Sequence, residues 1–526
     1  MRPEEVTAGD QVGFPILLLL IVLPLVGCAL LQLVRDRRAA RFIAIAAAGL
    51  EVALAAFLAL QFNAGVDDIQ FVERSGMVLG VSWHLGVDGV NLLFIPLTAL
   101  LGLLVIVYAE HQTVSSRIGD TRHYAMATLA LEATLIGAFA SLDLVVFWFF
   151  FVAELVPSWY LITRWGTGAQ RRPAAREYVA FMSVGAALML AGILLLGRSH
   201  AQSTGDGLSF DLSALLGADI PAESQTLIFF LLFFGFAIKA PIFPFHTWLP
   251  KVLEHGPVVA IGVFLVGVKL GTYGLLRFVI PILPDAASEW FWLMALLGVT
   301  GTVYGSLLAI NQSNLRRLLA YASLAHMGVV MLGLSSLNLD GLEGGLLQMV
   351  NLGIVGAGLF FIAGFLTTRV GPPEVGALGG LVHHAPLLTG AFLVVALAGI
   401  GLPGTNGFNG EHLVMLGAYE QHWSMAIAAG LGVFLTAAYS LTFFLRGFMG
   451  SARPAVVERV YDLTRTERGI VLTLAAVIFW IGLGTGPFIQ AMRPSLTAVE
   501  QRIEQRMEDE SGAPGTVGIE RVVPRG

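Results

Sequence analysis

The chain has 526 residues, of which 56% are hydrophobic and 13% charged; the charged share is about half the roughly 25% of a soluble domain. Too little charge is available to cover the surface of a soluble chain this long. The net charge of -6 argues against a nucleic-acid-binding surface, and the lone cysteine argues against a disulfide framework, a Cys-ligated zinc site or a Cys-held iron–sulfur cluster.

Apolar stretches of about 20 residues, enough to span a bilayer, recur along the whole chain. Fourteen are predicted, near 14–34, 40–62, 88–109, 122–141, 143–163, 176–197, 225–248, 257–280, 289–311, 315–336, 344–368, 387–419, 423–448 and 468–490. The first follows the acidic start Glu4, Glu5 and Asp10 and has no clear small-residue cleavage site, so it reads as a retained helix rather than a signal peptide. Cys28 lies within it and reads as a small core hydrophobe. No Gly-rich phosphate loop lies between a strand and a helix, and no strand-rich region is expected.

The loops alternate in charge. One side carries Arg35, Arg37, Arg38 and Arg41, then Arg117 and Arg122, then Arg164, Arg171, Arg172 and Arg176, then Lys251, Arg316, Arg317 and Arg369, and then Arg446, Arg453, Arg459, Arg465 and Arg468. The other carries Asp67, Asp68 and Glu73 with a single Arg74, then Asp206, Asp211, Asp219 and Glu223, then Asp285 and Glu289, then Asp340 and Glu343. The positive-inside rule makes the arginine-rich side cytoplasmic and puts both termini outside.

Two spans are interrupted. The seventh contains Lys239-Ala-Pro241-Ile-Phe-Pro244-Phe-His246-Thr-Trp-Leu-Pro250, and the twelfth runs from Gly399 through Gly-Leu-Pro-Gly to Gly410. Proline removes a backbone donor and glycine weakens a helix, so each span should be two half-helices joined by irregular backbone. At membrane depth such backbone survives only inside protein or beside a wet cavity. Each break comes fourth in a run of five spans, the pattern of an inverted-repeat transporter core. The expected organisation is therefore a single all-α polytopic membrane domain over 1–526. It comprises three N-terminal helices (14–109), a first five-helix repeat (122–280, broken near 239–250), a second (289–448, broken near 399–411), a last helix (468–490) and a polar tail (491–526). The tail starts as an amphipathic stretch with Arg502, Glu504, Arg506 and Glu508 and reads as a solvated helix or disorder.

A charge at mid-bilayer costs roughly 2.5–3.5 kcal/mol on insertion scales, so each intramembrane ionisable residue needs a reason. The candidates are Glu51, Glu132, Glu154, Lys239, Lys269 and Glu411, with His246 and His326. Lys269 stands 12 residues from both Pro257 and Pro281, too deep for its stem to reach either interface easily. Lys239 ends a half-helix, where the negative helix end favours its charge, and Glu411 begins one, where the positive end favours carboxylate. Glu154 sits in an aromatic and aliphatic run and needs an internal partner, for which Lys239 is the candidate. Glu132 is read as a second acid facing the same cavity, and Glu51 as one that points into it or towards a neighbouring subunit. His326 and His246 have the side chain suited to a proton relay. His383-His384 resembles half a metal site, but no acid or cysteine is spaced to complete it. Of the 30 basic residues only Lys239, Lys251 and Lys269 are lysine. Arginine is effectively never deprotonated, whereas buried lysine gives up its proton; the pattern is that of a chain that moves protons.

The sequence resembles the antiporter-like subunit M (subunit 4) of respiratory complex I, the NADH–quinone oxidoreductase. The resemblance rests on Leu-Gly-Val-Asp88-Gly-Val-Asn-Leu-Leu, Glu154-Leu-Val-Pro157, Phe-Ala-Ile-Lys239-Ala-Pro with Pro-Phe-His246-Thr-Trp-Leu-Pro, Lys269-Leu-Gly-Thr-Tyr-Gly-Leu-Leu-Arg277, Arg317-Leu-Leu-Ala-Tyr with His326-Met-Gly, and Gly-Leu-Pro-Gly-Thr-Asn-Gly-Phe-Asn-Gly-Glu411. It implies proton transfer by Glu154, Lys239, Lys269, His326 and Glu411, driven by quinone reduction elsewhere in the complex. It implies that this chain binds no cofactor, with NADH, FMN, iron–sulfur clusters and quinone held by partner subunits. It also implies neighbouring antiporter-like subunits on either side and a bacterial inner-membrane location. The sequence departs from the family at Leu352, where the family has His; at Asn314 and Arg316, where it has Asp and Lys; at Lys251, where it has Asp; and near His255, where it has an acid. Two other readings share the fold: a subunit of a multi-subunit sodium (cation)/proton antiporter, and a subunit of a related complex I-like assembly for hydrogenase or inorganic-carbon uptake chemistry.

Overall fold

The computed structural model describes residues 4–111, 121–258, 260–451, 453 and 460–511. Arg117, Arg459 and the tail beyond residue 511 lie outside the described residues. The long helices are α1 (Ile16–Leu33), α2 (Arg37–Gln61), α3 (Phe94–Ala109), α4 (Thr121–Ala140), α5 (Leu144–Trp165), α6 (Arg171–Thr204), α7 (Ala222–Lys239), α8 (Trp248–His255), α9 (Ile261–Ile282), α10 (Phe291–Ile310), α11 (Leu315–Ser335), α12 (Leu339–Val370), α13 (Pro386–Gly399), α14 (Asn406–Gln421), α15 (Trp423–Gly447), α16 (Arg465–Leu483) and α17 (Gly486–Ser511). Twelve of them are long and apolar enough to cross a membrane. The third predicted span is represented by the 16-residue α3 and the twelfth by the 14-residue α13 with α14 beyond its break. At 1.5 Å per residue each of these two is short of a core about 30 Å thick.

Local chemistry explains the helix starts. Side chains of Asp36, Asp143, Asn314 and Asn338 accept bonds from the first free backbone N–H groups of α2, α5, α11 and α12, and Thr464 with Glu467 forms a capping box on α16. Both expected breaks are present. α7 stops at Lys239, turns follow, and α8 starts at Trp248; α13 stops at Gly399 and α14 resumes at Asn406. Gly401 and Gly404 take positive φ there, which a glycine adopts without strain.

The core lies around α9, buried along its whole length, with α11 and α12 nearly so, while α2 and α16 bury only about a third of their residues. The central helices therefore pack on protein all round and the outer ones present an apolar face to lipid.

Two features differ from the sequence-based expectations. The segment after α2 forms strands β2 (Ile69–Val78) and β3 (Val81–Val87), antiparallel, with β1 (Glu5–Thr7) parallel to β2. Only its first four residues, Ile69 to Val72, are buried, and the charges Glu73 and Arg74 follow them, so no long apolar run marks the strand. The Glu73 carboxylate accepts from the N–H groups of Leu17 and Leu18 at 2.7 and 2.9 Å, capping α1. Second, the last span ends at Leu483 rather than near 490, and the start of the polar tail is neither loose nor fully solvated. It forms α17, which lies across the ends of other helices. Met492, Leu496 and Ile503 are buried, Arg493 pairs with Glu343 at 2.7 Å, and Arg502 donates to the carbonyl of Pro281 at 2.6 Å. Arg506 pairs with Asp219 at 2.7 Å. The sequence places Asp219, Asp285, Asp340 and Glu343 on one side of the membrane, and α17 gathers around those same loops.

Candidate functional site

Glu154 occupies a one-residue interruption in α5, between Ala153 and Leu155, and Lys239 is the last residue of α7. Both side chains are fully buried, with the Lys239 Nζ 2.5 Å from a Glu154 carboxylate oxygen. Two hydroxyls complete the cluster. Ser158 Oγ donates to Glu154 Oε1 at 2.7 Å, and Tyr178 of α6 lies 3.2 Å from both the Glu154 oxygens and Lys239 Nζ. The rings of Phe151 and Tyr178 flank the ammonium, with centroids 5.4 and 5.6 Å away. Removing either charge would strand the other in a dry site, which costs about 3–5 kcal/mol. Tyr178 and Ser158 escaped the sequence reading because a tyrosine or serine in an apolar run carries no cost that marks it out.

Lys269 lies at a helix joint within α9, followed by a π-helical turn at Leu275–Val279. Its Nζ reaches the Met327 sulfur at 3.2 Å, a weak acceptor. Lys269 lines a cavity of about 40 Å³ with His326, Leu352, Tyr439 and Ser440. A water needs roughly 10–15 Å³ of such space and two or more polar partners, and these walls supply them. Leu352 is thus part of the wall between Lys269 and the groups beyond.

His326 of α11 stands with Tyr439 of α15 3.3 Å from its Nε2 and with Glu411 3.9 Å from its Nδ1. Glu411 lies in the first turns of α14, buried, and accepts from Gln348 Nε2 at 3.2 Å. Asn351 donates to the Asn406 carbonyl at 2.6 Å, while its own oxygen and both side-chain polar atoms of Asn406 are buried without partners among the described residues. Polar groups from α11, α12, α14 and α15 therefore converge next to the second break.

The structure does not bring every expected residue to these clusters. Glu132 lies with Glu51, not with Lys239, its carboxyl pressed against Gly102 of α3. His246 lies in the first break, its ring 5.7 Å from that of Phe243 and 5.4 Å from that of Tyr304. Its contacts are with rings rather than with Glu154 or Lys269. Among the described residues no group of three or more His, Cys, Asp or Glu could hold a metal ion. A buried pair absent from the list of candidates joins Arg277, in the π-helical turn, to Asp88.

Outside the apolar spans, a polar knot fastens the β-hairpin. His84, buried on β3, bonds Asp211 at 2.6 Å, and Ser82 donates its backbone N–H to Asp143 at 3.0 Å. Burial opposes ionisation of Asp211, but His84, with Arg74 and Ser82, outweighs it and holds this carboxyl below its ordinary range. Burial pushes Asp143 up despite the backbone N–H groups of Ser82, Val146 and Val145.

Residues 141–436 match the family model described as NADH:quinone oxidoreductase/Mrp antiporter, TM. The chain is 32% identical to NADH-quinone oxidoreductase subunit M of Rhodobacter capsulatus, over 92% of this chain and 96% of that one. A chain of the solved respiratory complex I from Thermus thermophilus superposes with a TM-score of 0.84 at 33% identity, covering 93% of this chain and 99% of that one. A chain of the Mrp complex from Dietzia shares the fold, with a TM-score of 0.79 at 22% identity over 93% and 98% of the two chains. The expected resemblance thus holds over most of the chain, and the protein belongs to the subunit M family of NADH-quinone oxidoreductase.

Proposed function

We propose that this chain is a proton-translocating membrane-arm subunit of a complex I-type NADH:quinone oxidoreductase, in which buried Glu, Lys and His side chains and water carry protons while quinone is reduced in other subunits. The single observation that carries the reading is the buried 2.5 Å contact of Lys239 with Glu154. A static role would be served equally by two well-packed apolar residues, and lysine is the cation that can release its proton.

In this mechanism, opening the pair removes the counter-charge that holds the proton on Lys239. The proton passes through buried water to Lys269 and His326 and then to Glu411, which releases it towards the outer side. The Lys269 cavity, His326 at 3.9 Å from Glu411, and Gln348 on that carboxylate support the last steps. Leu352 interrupts the line where the family carries His, so water in the cavity or Asn351 bridges the gap. Glu132 and His246 lie outside this line and are assigned secondary proton-transfer roles.

The same reading organises the chain into two inverted five-helix repeats, 122–280 and 289–448, within fourteen spans. It puts the arginine-rich loops in the cytoplasm and both termini outside, in a bacterial inner membrane. It assigns NADH, FMN, iron–sulfur clusters and quinone to partner subunits. The alternative, an antiporter subunit, is supported by the family model, which spans both kinds of protein, and by the fold shared with the Mrp complex. Purification of the tagged chain from its native membrane separates the two. Co-purifying iron–sulfur and quinone-site subunits with NADH oxidation support the proposal; antiporter subunits alone, without redox cofactors, refute it.

A further inference from the structure

A second pair of acids lies off the line from Lys239 to Glu411. Glu51 on α2 and Glu132 on α4 are fully buried and interact directly with each other. All four of their carboxyl oxygens are buried without a hydrogen-bond partner among the described residues. The facing helix makes room for them: a Cβ on Gly102 of α3 would overlap the Glu132 carboxyl. A further titratable neighbour is Cys28 on α1, whose thiol donates to the Met126 carbonyl at 3.2 Å. α1, α2, α3 and α4 pack on one another around this point.

Two carboxylates side by side in such a site repel, and neither has a cation or a donor to offset its desolvation. One proton solves both problems, because the protonated carboxyl donates a hydrogen bond to the other carboxylate and the pair keeps a single negative charge. A hard cation would need about six oxygen ligands, and among the described residues no third acid, His or Cys joins the pair to make a metal-binding group.

We propose that Glu51 and Glu132 form a proton-binding site that holds one proton between two carboxyls, at the seam between the three N-terminal helices and the first five-helix unit. The pair is a distinct proton store, separate from the Glu154–Lys239 cluster, and it assigns Glu51 an internal partner rather than a neighbouring subunit.

The test is infrared spectroscopy of the assembled complex in membrane vesicles, comparing the unaltered protein with a Glu51→Gln/Glu132→Gln double variant. The difference should contain one protonated-carboxyl carbonyl band and one carboxylate signal, identical in sodium-free and sodium-containing buffer. Two carboxylate signals with no protonated band, two protonated bands, or a sodium-dependent spectrum would each overturn the proposal. Should the double variant not assemble, Glu132→Asp keeps both acids and should displace the protonated band; an unmoved protonated-carboxyl spectrum contradicts the site.

Discussion

At the scale of single residues, the chain keeps a small set of titratable side chains, Glu154, Lys239, Lys269, His326 and Glu411, where burial makes them expensive. Lys269 is buried and its Nζ bonds the Met327 sulfur, so its neighbours decide where a proton goes next. Leu352 shares the cavity of Lys269 and His326, which makes Leu352→His the informative change. An imidazole there should be tolerated and should raise the protons moved per electron pair, measured as pumping in reconstituted vesicles. Failure of assembly with that substitution would mean the position serves packing. Glu154→Gln keeps the shape and the Ser158 and Tyr178 contacts but removes the charge opposite Lys239. Proton-coupled turnover should fall at least about tenfold, since each tenfold step needs only about 1.4 kcal/mol; turnover equal to that of the unaltered chain would count against the pair. These positions were legible from sequence because a charge inside an apolar run is conspicuous. Tyr178, Gln348 and Tyr439 were not, because neutral polar side chains are common in helices and only the fold shows that they meet a charge.

At the scale of elements, the β-hairpin and α17 tie down one face of the helix ends. The Asp211 carboxyl is held below its ordinary value, so its contribution to stability is present above the unfolded value near about 3.9 and is lost as pH falls through the folded value. The Asp211 carboxylate should therefore stay ionised from neutral pH down to about pH 5, and Asp211→Asn should lower the melting temperature of the complex at neutral pH. No change in melting would remove this contact from the account. Arg493 is half-exposed while its partner Glu343 is buried, so water offsets part of the loss in Arg493→Ala. A destabilisation of about 1 kcal/mol is expected, read as a lower melting temperature with α17 more open to proteolysis. Both elements were illegible for the same reason. Each sets a few core residues, such as Phe71 and Leu85 or Leu496 and Ile503, among charged groups used in ion pairs and caps, such as Glu73 on α1 and Arg502 on Pro281, so no long apolar run marks it.

At the scale of the whole molecule, the organisation follows from two properties readable in the chain: long apolar runs and two interruptions rich in proline and glycine. Those interruptions fall where the structure gathers Lys239 with Glu154 and Glu411 with His326. Broken helices leave backbone groups that must be satisfied inside protein, so they draw polar side chains to the same depth. What sequence could not supply was the pairing among buried acids. Glu132 is 22 residues from Glu154 and 81 from Glu51, yet the packing of α2 against α4 joins it to Glu51.

The central claim is that Lys239 is a proton carrier, and Lys239→Arg tests it most directly. Arginine keeps a positive charge opposite Glu154 but does not release its proton. In reconstituted vesicles the variant complex should assemble, yet its proton pumping should fall to background. Pumping at the level of the unaltered complex would contradict the account.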